Sequence, residues 1–211
     1  GILPHRSKQL NACARALPAR GVGKNMLVSD IVKTALCLVG RKDAADAIDS
    51  DDYEDDRELS HAVKAMLHCF NAAEDELARA YFPLTCEESF TPVQGKIYYT
   101  SFGRMPVRIL SVTRGKRAVA YNICPEYLEM EGGEATVKYA YCPQKKQLSD
   151  DSDFDGYPVG ERMLGYGAAS EYCLIEGAYE EAENWEARYR AEIERFRPYK
   201  KVRPVPARAW I

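Results

Sequence analysis

The chain has 211 residues, of which 46% are hydrophobic and 29% charged, a composition typical of globular proteins and unlike collagen-like or disordered chains. No apolar run approaches the roughly 18 residues that cross a bilayer, so we expect no membrane span. The net charge of −3 conceals a segregation: residues 1–25 and 197–211 each carry five basic and no acidic residues, which leaves −13 on residues 26–196.

The two basic segments are typical of arms that bind an acidic object. Two objects fit, a nucleic acid or the acidic body of a neighbouring copy, and the alternative is that both segments are solvated ends. Segment 197–211 also carries three prolines and several apolar residues. Proline favours an extended path, on which apolar side chains have no local core to enter. We therefore expect this segment to dock elsewhere. Residues 1–25 precede the first methionine, so a natural start at Met26 is one interpretation.

Helical periodicity dominates the first part of the acidic body. Apolar residues recur at helical spacing over 27–39, and Gly40 ends that pattern. Residues 43–58 contain nine acidic residues and are expected to form a solvated loop that leads into a helix N-terminus. A long amphipathic helix is predicted over 56–81, ended by Pro83.

The region 84–143 has the alternation and the β-branched and aromatic content of strands. Turn residues at 114–116 and 131–134 separate its segments, and Pro143 marks its end. We expect an antiparallel meander that forms a small sandwich or half-barrel. The predicted strands are 84–90, 95–101, 106–113, 117–123 and 134–142.

The last part of the body is predicted to be an acidic loop followed by a helical hairpin. The loop covers 144–160, and the helices cover about 161–176 and 179–196, with Gly177 at a C-terminal cap position. The first helix places Ile175 on its apolar stripe. One continuous bent helix is the alternative.

One motif in the loop has the chemistry of a metal site. Asp151, Asp153 and Asp155, followed by Gly156, match the first half of a calcium-binding loop. Position twelve, where a bidentate Glu is needed, is Arg162. The alternative is an acidic turn that caps the following helix, which is the interpretation we prefer, so no metal ligand is predicted.

No other motif supports catalysis or a cofactor. His61 and His68 lie seven residues apart on the predicted helix with no further ligand at a metal-binding spacing, so we expect structural roles. The seven cysteines include no C-x-x-C pair, which favours a reducing compartment without a zinc knuckle or disulfide framework. We therefore predict no catalytic residue, no cofactor and no enzyme.

Several strings follow the order helices, β insert, helical pair and basic Pro-rich segment. They are NAAEDELAR at 71–79, GKIYY at 95–99, PVRI at 106–109, VKYAYCP at 137–143, LGYGAASEYCL at 164–174 and GAYEEAENW at 177–185. Together they resemble the head-tail adaptor, or connector, proteins of tailed bacteriophages and prophages. The resemblance covers roughly 26–196.

The resemblance implies a structural virion protein with an α+β fold. Residues 26–83 and 161–196 would form a helical bundle, 84–143 an inserted antiparallel β domain and 144–160 an acidic loop. Residues 1–25, a basic N-terminal extension, lie outside the resemblance, and residues 197–211 are expected to form a basic, Pro-rich C-terminal arm. Such adaptors form a ring beneath the portal, usually of twelve copies. They join the head to a tail or stopper protein and help to retain packaged DNA, which passes through without sequence-specific binding.

Adaptors of this kind often dock on the portal protein through a C-terminal extension. Here the matching segment implies partner contacts by Arg197, Tyr199, Lys200, Lys201, Arg203, Arg208 and Trp210. The implied location is the portal vertex of the virion, after assembly in the host bacterial cytoplasm. A nucleic-acid-binding module that uses the basic arms is the alternative, and an enzyme is a further alternative without a positive feature.

Overall fold

The computed structural model describes residues 26–50 and 52–196. Over these ranges the protein is α+β, with five α-helices and two antiparallel sheets, which confirms the expected fold class at this level. The helices are α1 (Val28–Leu38), α2 (Lys42–Ser50), α3 (Arg57–Glu76), α4 (Glu161–Ile175) and α5 (Tyr179–Phe196). The strands are β1 (Leu84–Phe90), β2 (Lys96–Tyr98), β3 (Pro106–Arg114), β4 (Arg117–Ala118), β5 (Tyr121–Ile123), β6 (Tyr127–Met130) and β7 (Ala135–Tyr141).

The acidic region after α1 is not the loop that the sequence predicted. Residues Lys42–Ser50 form α2, and a 3₁₀ turn follows at Asp52–Glu54. The acidic residues of α2 are exposed, while its apolar residues recur at helical spacing and are buried. The buried set is Ala44, Ala45, Ala47 and Ile48. The acidic residues therefore form the solvent face of an amphipathic helix.

Helix α3 confirms the predicted long amphipathic helix and shows how its ends are defined. The Asp56 carboxylate accepts hydrogen bonds from the backbone N–H groups of Glu58 and Leu59, at 2.8 and 3.1 Å. These bonds satisfy amides that have no partner within the helix. Beyond Glu76 the chain continues as a π-helical turn over Leu77–Tyr81, before Pro83.

The predicted β region exists, but its topology differs from a meander. One sheet has the order β1-β7-β3-β4 and the other β2-β6-β5. Strand β7 pairs with β1 over seven residues, from Leu84 opposite Tyr141 to Phe90 opposite Ala135. The predicted strand 117–123 divides into β4 and β5, which belong to different sheets, and β6 was not predicted.

Two hydrophobic clusters fill the protein. The first lies among the helices and includes Leu84 of β1 and Phe154 and Val159 of the loop. The second lies in the β region and is built from both sheets, with Ile97, Val112, Leu128, Val137 and Tyr139 among its buried residues. Tyr141 packs against both clusters.

Helix α4 contacts α1, α3 and α5. At Gly167 it packs so tightly against α3 and α5 that a side chain has no room. A Cβ at Gly167 would lie 2.9 Å from the Ala73 Cβ on α3 and 3.1 Å from the Tyr189 ring on α5. Gly165, two residues earlier, has only the Thr34 methyl group at 3.8 Å. The two glycines therefore provide a matched pair on one helix.

We expect Gly167→Ala to destabilise the protein by about 1–3 kcal/mol, because the added methyl group overpacks a contact among three helices. We expect Gly165→Ala to leave stability unchanged or raise it by up to about 1 kcal/mol, because alanine favours the helix and the methyl group has room. Chemical denaturation of both variants measures the difference. Equal effects of the two substitutions would contradict this packing.

Candidate interaction surfaces

The sequence-predicted partner-binding residues fall outside the described residues. They are Arg197, Tyr199, Lys200, Lys201, Arg203, Arg208 and Trp210, and the basic segment 1–25 likewise falls outside. The candidate surfaces below therefore belong to the acidic body, residues 26–50 and 52–196. They are its internal junctions and its exposed apolar positions.

The D-x-D-x-D-G motif forms an internal junction. The Ser152 hydroxyl donates a hydrogen bond of 2.6 Å to Oε1 of Glu74 on α3, and the Asp153 N–H donates one of 3.0 Å to the same oxygen. The Asp153 carboxylate accepts from Lys146 Nζ at 2.8 Å and lies 3.7 Å from Arg104 Nη1. Its charge is therefore balanced by cations of the protein.

The backbone of the same loop caps α1. The N–H groups of Val28 and Ser29 donate to the carbonyl oxygens of Asp150 and Leu148, at 3.0 and 3.1 Å. The side chains of the motif do not cap α4, whose N-cap residue is Gly160 with no side-chain hydrogen bond. The expected capping role is therefore wrong, because the motif faces α1 and α3 instead.

Glu74 is the buried acid of this junction. It is fully buried, and its Oε2 has no hydrogen-bond partner. Burial raises the pKa of Glu74, against the lowering effects of the Ser152 hydrogen bond and the Lys146 charge. The sequence analysis did not single out Glu74. A signal was present, because Glu74 lies four residues from Phe70 on the buried stripe of α3.

We expect the Glu74→Gln variant to gain thermal stability relative to wild type as pH rises above 4.5, the ordinary pKa of a Glu carboxyl. The raised pKa means that the folded protein holds the proton more tightly than the unfolded chain, so ionisation costs stability with rising pH. Gln has no such cost and keeps an Oε1 acceptor. Thermal unfolding from pH 4 to 8 measures the difference.

Glu126→Gln, at an exposed position, is the control for that experiment. Its difference from wild type is expected to stay constant over the same pH range. A constant difference for Glu74→Gln as well would contradict the raised pKa.

The turn between α4 and α5 is a second feature, which we call the hairpin tip (residues 171–183). Gly177 adopts a φ of +77°, which glycine tolerates best. The Gly177 and Ala178 N–H groups donate to the carbonyl oxygens of Leu174 and Cys173, at 3.2 and 2.9 Å. This turn excludes one continuous helix. The Ser170 hydroxyl also donates to the Ala182 carbonyl at 3.1 Å, which fixes the two helices together.

The hairpin tip exposes large apolar side chains. The exposed fractions are 47% for Leu174, 56% for Ile175 and 67% for Tyr179. Ile175 was predicted to be on the core stripe of its helix, and this prediction is wrong because the helix ends there and the turn leaves its side chain in solvent. Exposed apolar clusters of this kind mark interaction sites more often than isolated apolar residues do.

The charge around the hairpin tip has one sign. Between Arg162 and Arg188 the sequence has six acidic residues and no basic one. Five of the six are exposed: Glu171, Glu176, Glu180, Glu181 and Glu183. A basic partner with apolar side chains would therefore be complementary to this surface.

The β region also exposes apolar residues, but these are spread over several elements. They include Val93, Tyr98, Met105, Val107 and Ile123. The outward positions of β7, by contrast, include Lys138, whose Nζ forms an ion pair of 2.8 Å with Glu87 of β1. The exposed apolar residues of the hairpin tip, in contrast, all lie within residues 174–179.

A cleft of about 560 Å³ lies between α1, α2, α3 and the loop. Its titratable lining residues include Lys33, Asp49, Glu54 and Lys64. Lys33 is already paired with Asp30 and Asp49, at 3.3 and 2.7 Å, and these partners raise its pKa. A cation held in this way is not available to activate a substrate.

Cysteines and histidines are dispersed through the described residues. His61 and His68 are both exposed, and no group of three or more His, Cys, Asp or Glu within 26–50 and 52–196 is arranged to hold a metal ion. Cys37, Cys69, Cys124, Cys142 and Cys173 are free thiols.

Comparisons with known proteins add no relative. No protein-family model matches the chain, and a search of the curated proteins found no significant match. Among the helices that the structure describes, none is both long and apolar enough to span a bilayer.

Proposed function

We propose that this chain is a structural head-tail adaptor of the tailed-phage connector type. In this proposal, residues 26–83 and 161–196 form a helical bundle, 84–143 an inserted antiparallel β domain and 144–160 an acidic loop. Residues 1–25 and 197–211 are partner-binding arms. The chain assembles head to tail into a ring of about twelve copies beneath the portal, through which packaged DNA passes.

The observation that carries the proposal is the position of the strings that resemble adaptors. NAAEDELAR contains Glu74 at the internal junction, and VKYAYCP covers most of the central strand β7. LGYGAASEYCL contains the close-packed Gly167, and GAYEEAENW forms the turn and the start of α5. The resemblance therefore rests on segments that organise the fold as well as on surface composition.

Charge segregation supports the same proposal. An acidic body of −13 repels the phosphate backbone, so DNA can move through a ring of such bodies without being held. Basic arms of +5 each are then suited to acidic protein partners. The virion neck is the proposed location, and the arm residues from Arg197 to Trp210 are the proposed contacts with the portal.

The proposal is tested by native mass measurement of the purified chain, alone and mixed with the portal protein from the genome that encodes it. We expect a ring-sized species of about twelve chains that binds the portal. A chain with Lys200, Lys201 and Arg203 changed to Gln is expected to lose at least tenfold in portal affinity, because three cationic contacts are removed.

Two outcomes would contradict this function. The first is a chain that stays monomeric alone and in the presence of the portal. The second is tight binding to random-sequence duplex DNA that falls steeply between low and physiological salt, since this is the behaviour of a nucleic-acid-binding module.

A further inference from the structure

The hairpin tip is exposed to solvent within the part of the chain that the structure describes, and its turn is hydrogen-bonded. In the sequence, its exposed residues Leu174, Ile175 and Tyr179 lie between the buried residues Cys173 and Ala182. The turn itself is fixed by the backbone hydrogen bonds described above. Because the turn is already ordered, a partner that covers the tip incurs little conformational entropy cost on the tip's side.

The partner must combine positive charge with apolar side chains. The tip offers five exposed carboxylates beside its apolar residues. Segment 197–211 of this same chain has five basic residues, no acidic residue and the apolar residues Tyr199, Val202, Val205, Trp210 and Ile211. Its chemistry is therefore complementary to the hairpin tip in both charge and hydrophobicity.

The direction of α5 favours a tip on a different copy. Helix α5 has 18 residues and begins at the hairpin tip, so Phe196 lies about 27 Å away at its other end. Pro198, Pro204 and Pro206 favour an extended continuation, which over fifteen residues reaches roughly 45 Å. If the segment continues in the direction of α5, its own tip lies behind it, and a tip on another copy is the target that fits its chemistry.

We propose that the hairpin tip of one copy is the receptor for segment 197–211 of a neighbouring copy. Tyr199 and Trp210 cover the apolar residues of the tip, and Lys200, Lys201 and Arg203 face its carboxylates. This inference rests on the proposed function, because it requires adjacent copies in a ring. It identifies a partner for the segment in the ring alone, before the portal binds and takes over these residues.

The test uses the full-length chain with a photo-crosslinking phenylalanine analogue in place of Trp210. Equal amounts of ¹⁴N-labelled and ¹⁵N-labelled chain are mixed at a concentration at which the ring forms, irradiated and digested. We expect crosslinks from position 210 to residues 171–183 that join one light and one heavy peptide. Crosslinks within a single chain only, crosslinks to other regions only, or no crosslink would overturn the proposal.

Charge variants test the electrostatic part. The tip variant Glu176→Lys, Glu180→Lys and Glu183→Lys is expected to reduce the mixed-label crosslink about tenfold, because it replaces three attractive pairs with repulsive ones. Glu126→Lys, Glu129→Lys and Glu134→Lys, three exposed positions of the β region, make the same charge change and are expected to leave the crosslink unchanged. Equal loss in both triple variants would refute a specific tip contact.

A charge swap controls for misfolding. Mixing the tip variant with a chain carrying Lys200→Glu, Lys201→Glu and Arg203→Glu is expected to restore mixed-label crosslinks from the reversed segment to the reversed tip. If wild type forms a ring without these crosslinks, only this inference fails. If wild type is monomeric with and without the portal, the proposed function fails first.

Discussion

Glu74 lies on α3 with its side chain fully buried, and two hydrogen bonds from segment 144–160 end on one of its carboxylate oxygens. Carbonyl groups of the same segment accept hydrogen bonds from the N–H groups in the first turn of α1, and its Asp153 lies close to Arg104, which precedes β3. Segment 144–160 therefore joins α1, α3 and the residue that precedes β3, and its contact with α3 is the buried Glu74. A buried carboxylate is costly unless its hydrogen bonds are formed, so the junction depends on this loop keeping its place.

Local signals in the sequence predict the helices well. The apolar stripe of α3 and Pro83 predict a helix whose position the structure confirms. Helix α2 was missed because three aspartates suggested a solvated loop, although Ala44, Ala47 and Ile48 have helical spacing. The general lesson is that charge density describes which side of an element faces water, whereas the spacing of small apolar residues describes the element itself.

The sheet order and the buried acid depend on contacts that no local pattern contains. Alternation predicts β7 as a strand, but its position between β1 and β3 depends on pairing with residues far away in the chain. The loop 144–160 is similar, because its acidic motif predicted a cap for the following helix, whereas its partners Glu74 and Arg104 come from other elements. The exposure of the hairpin tip was likewise not predicted, since periodicity assigns Ile175 to the buried stripe although the helix ends at that residue.

Tyr141 connects the two hydrophobic clusters, since its ring packs against both, and burial raises its pKa to about 12. Arg104 lies over the same ring at 5.3 Å. A mechanical consequence follows from this shared residue. A force that displaces β7 would act on both clusters, because Tyr141 lies at the end of that strand and packs against both. We expect the two clusters to unfold cooperatively for the same reason.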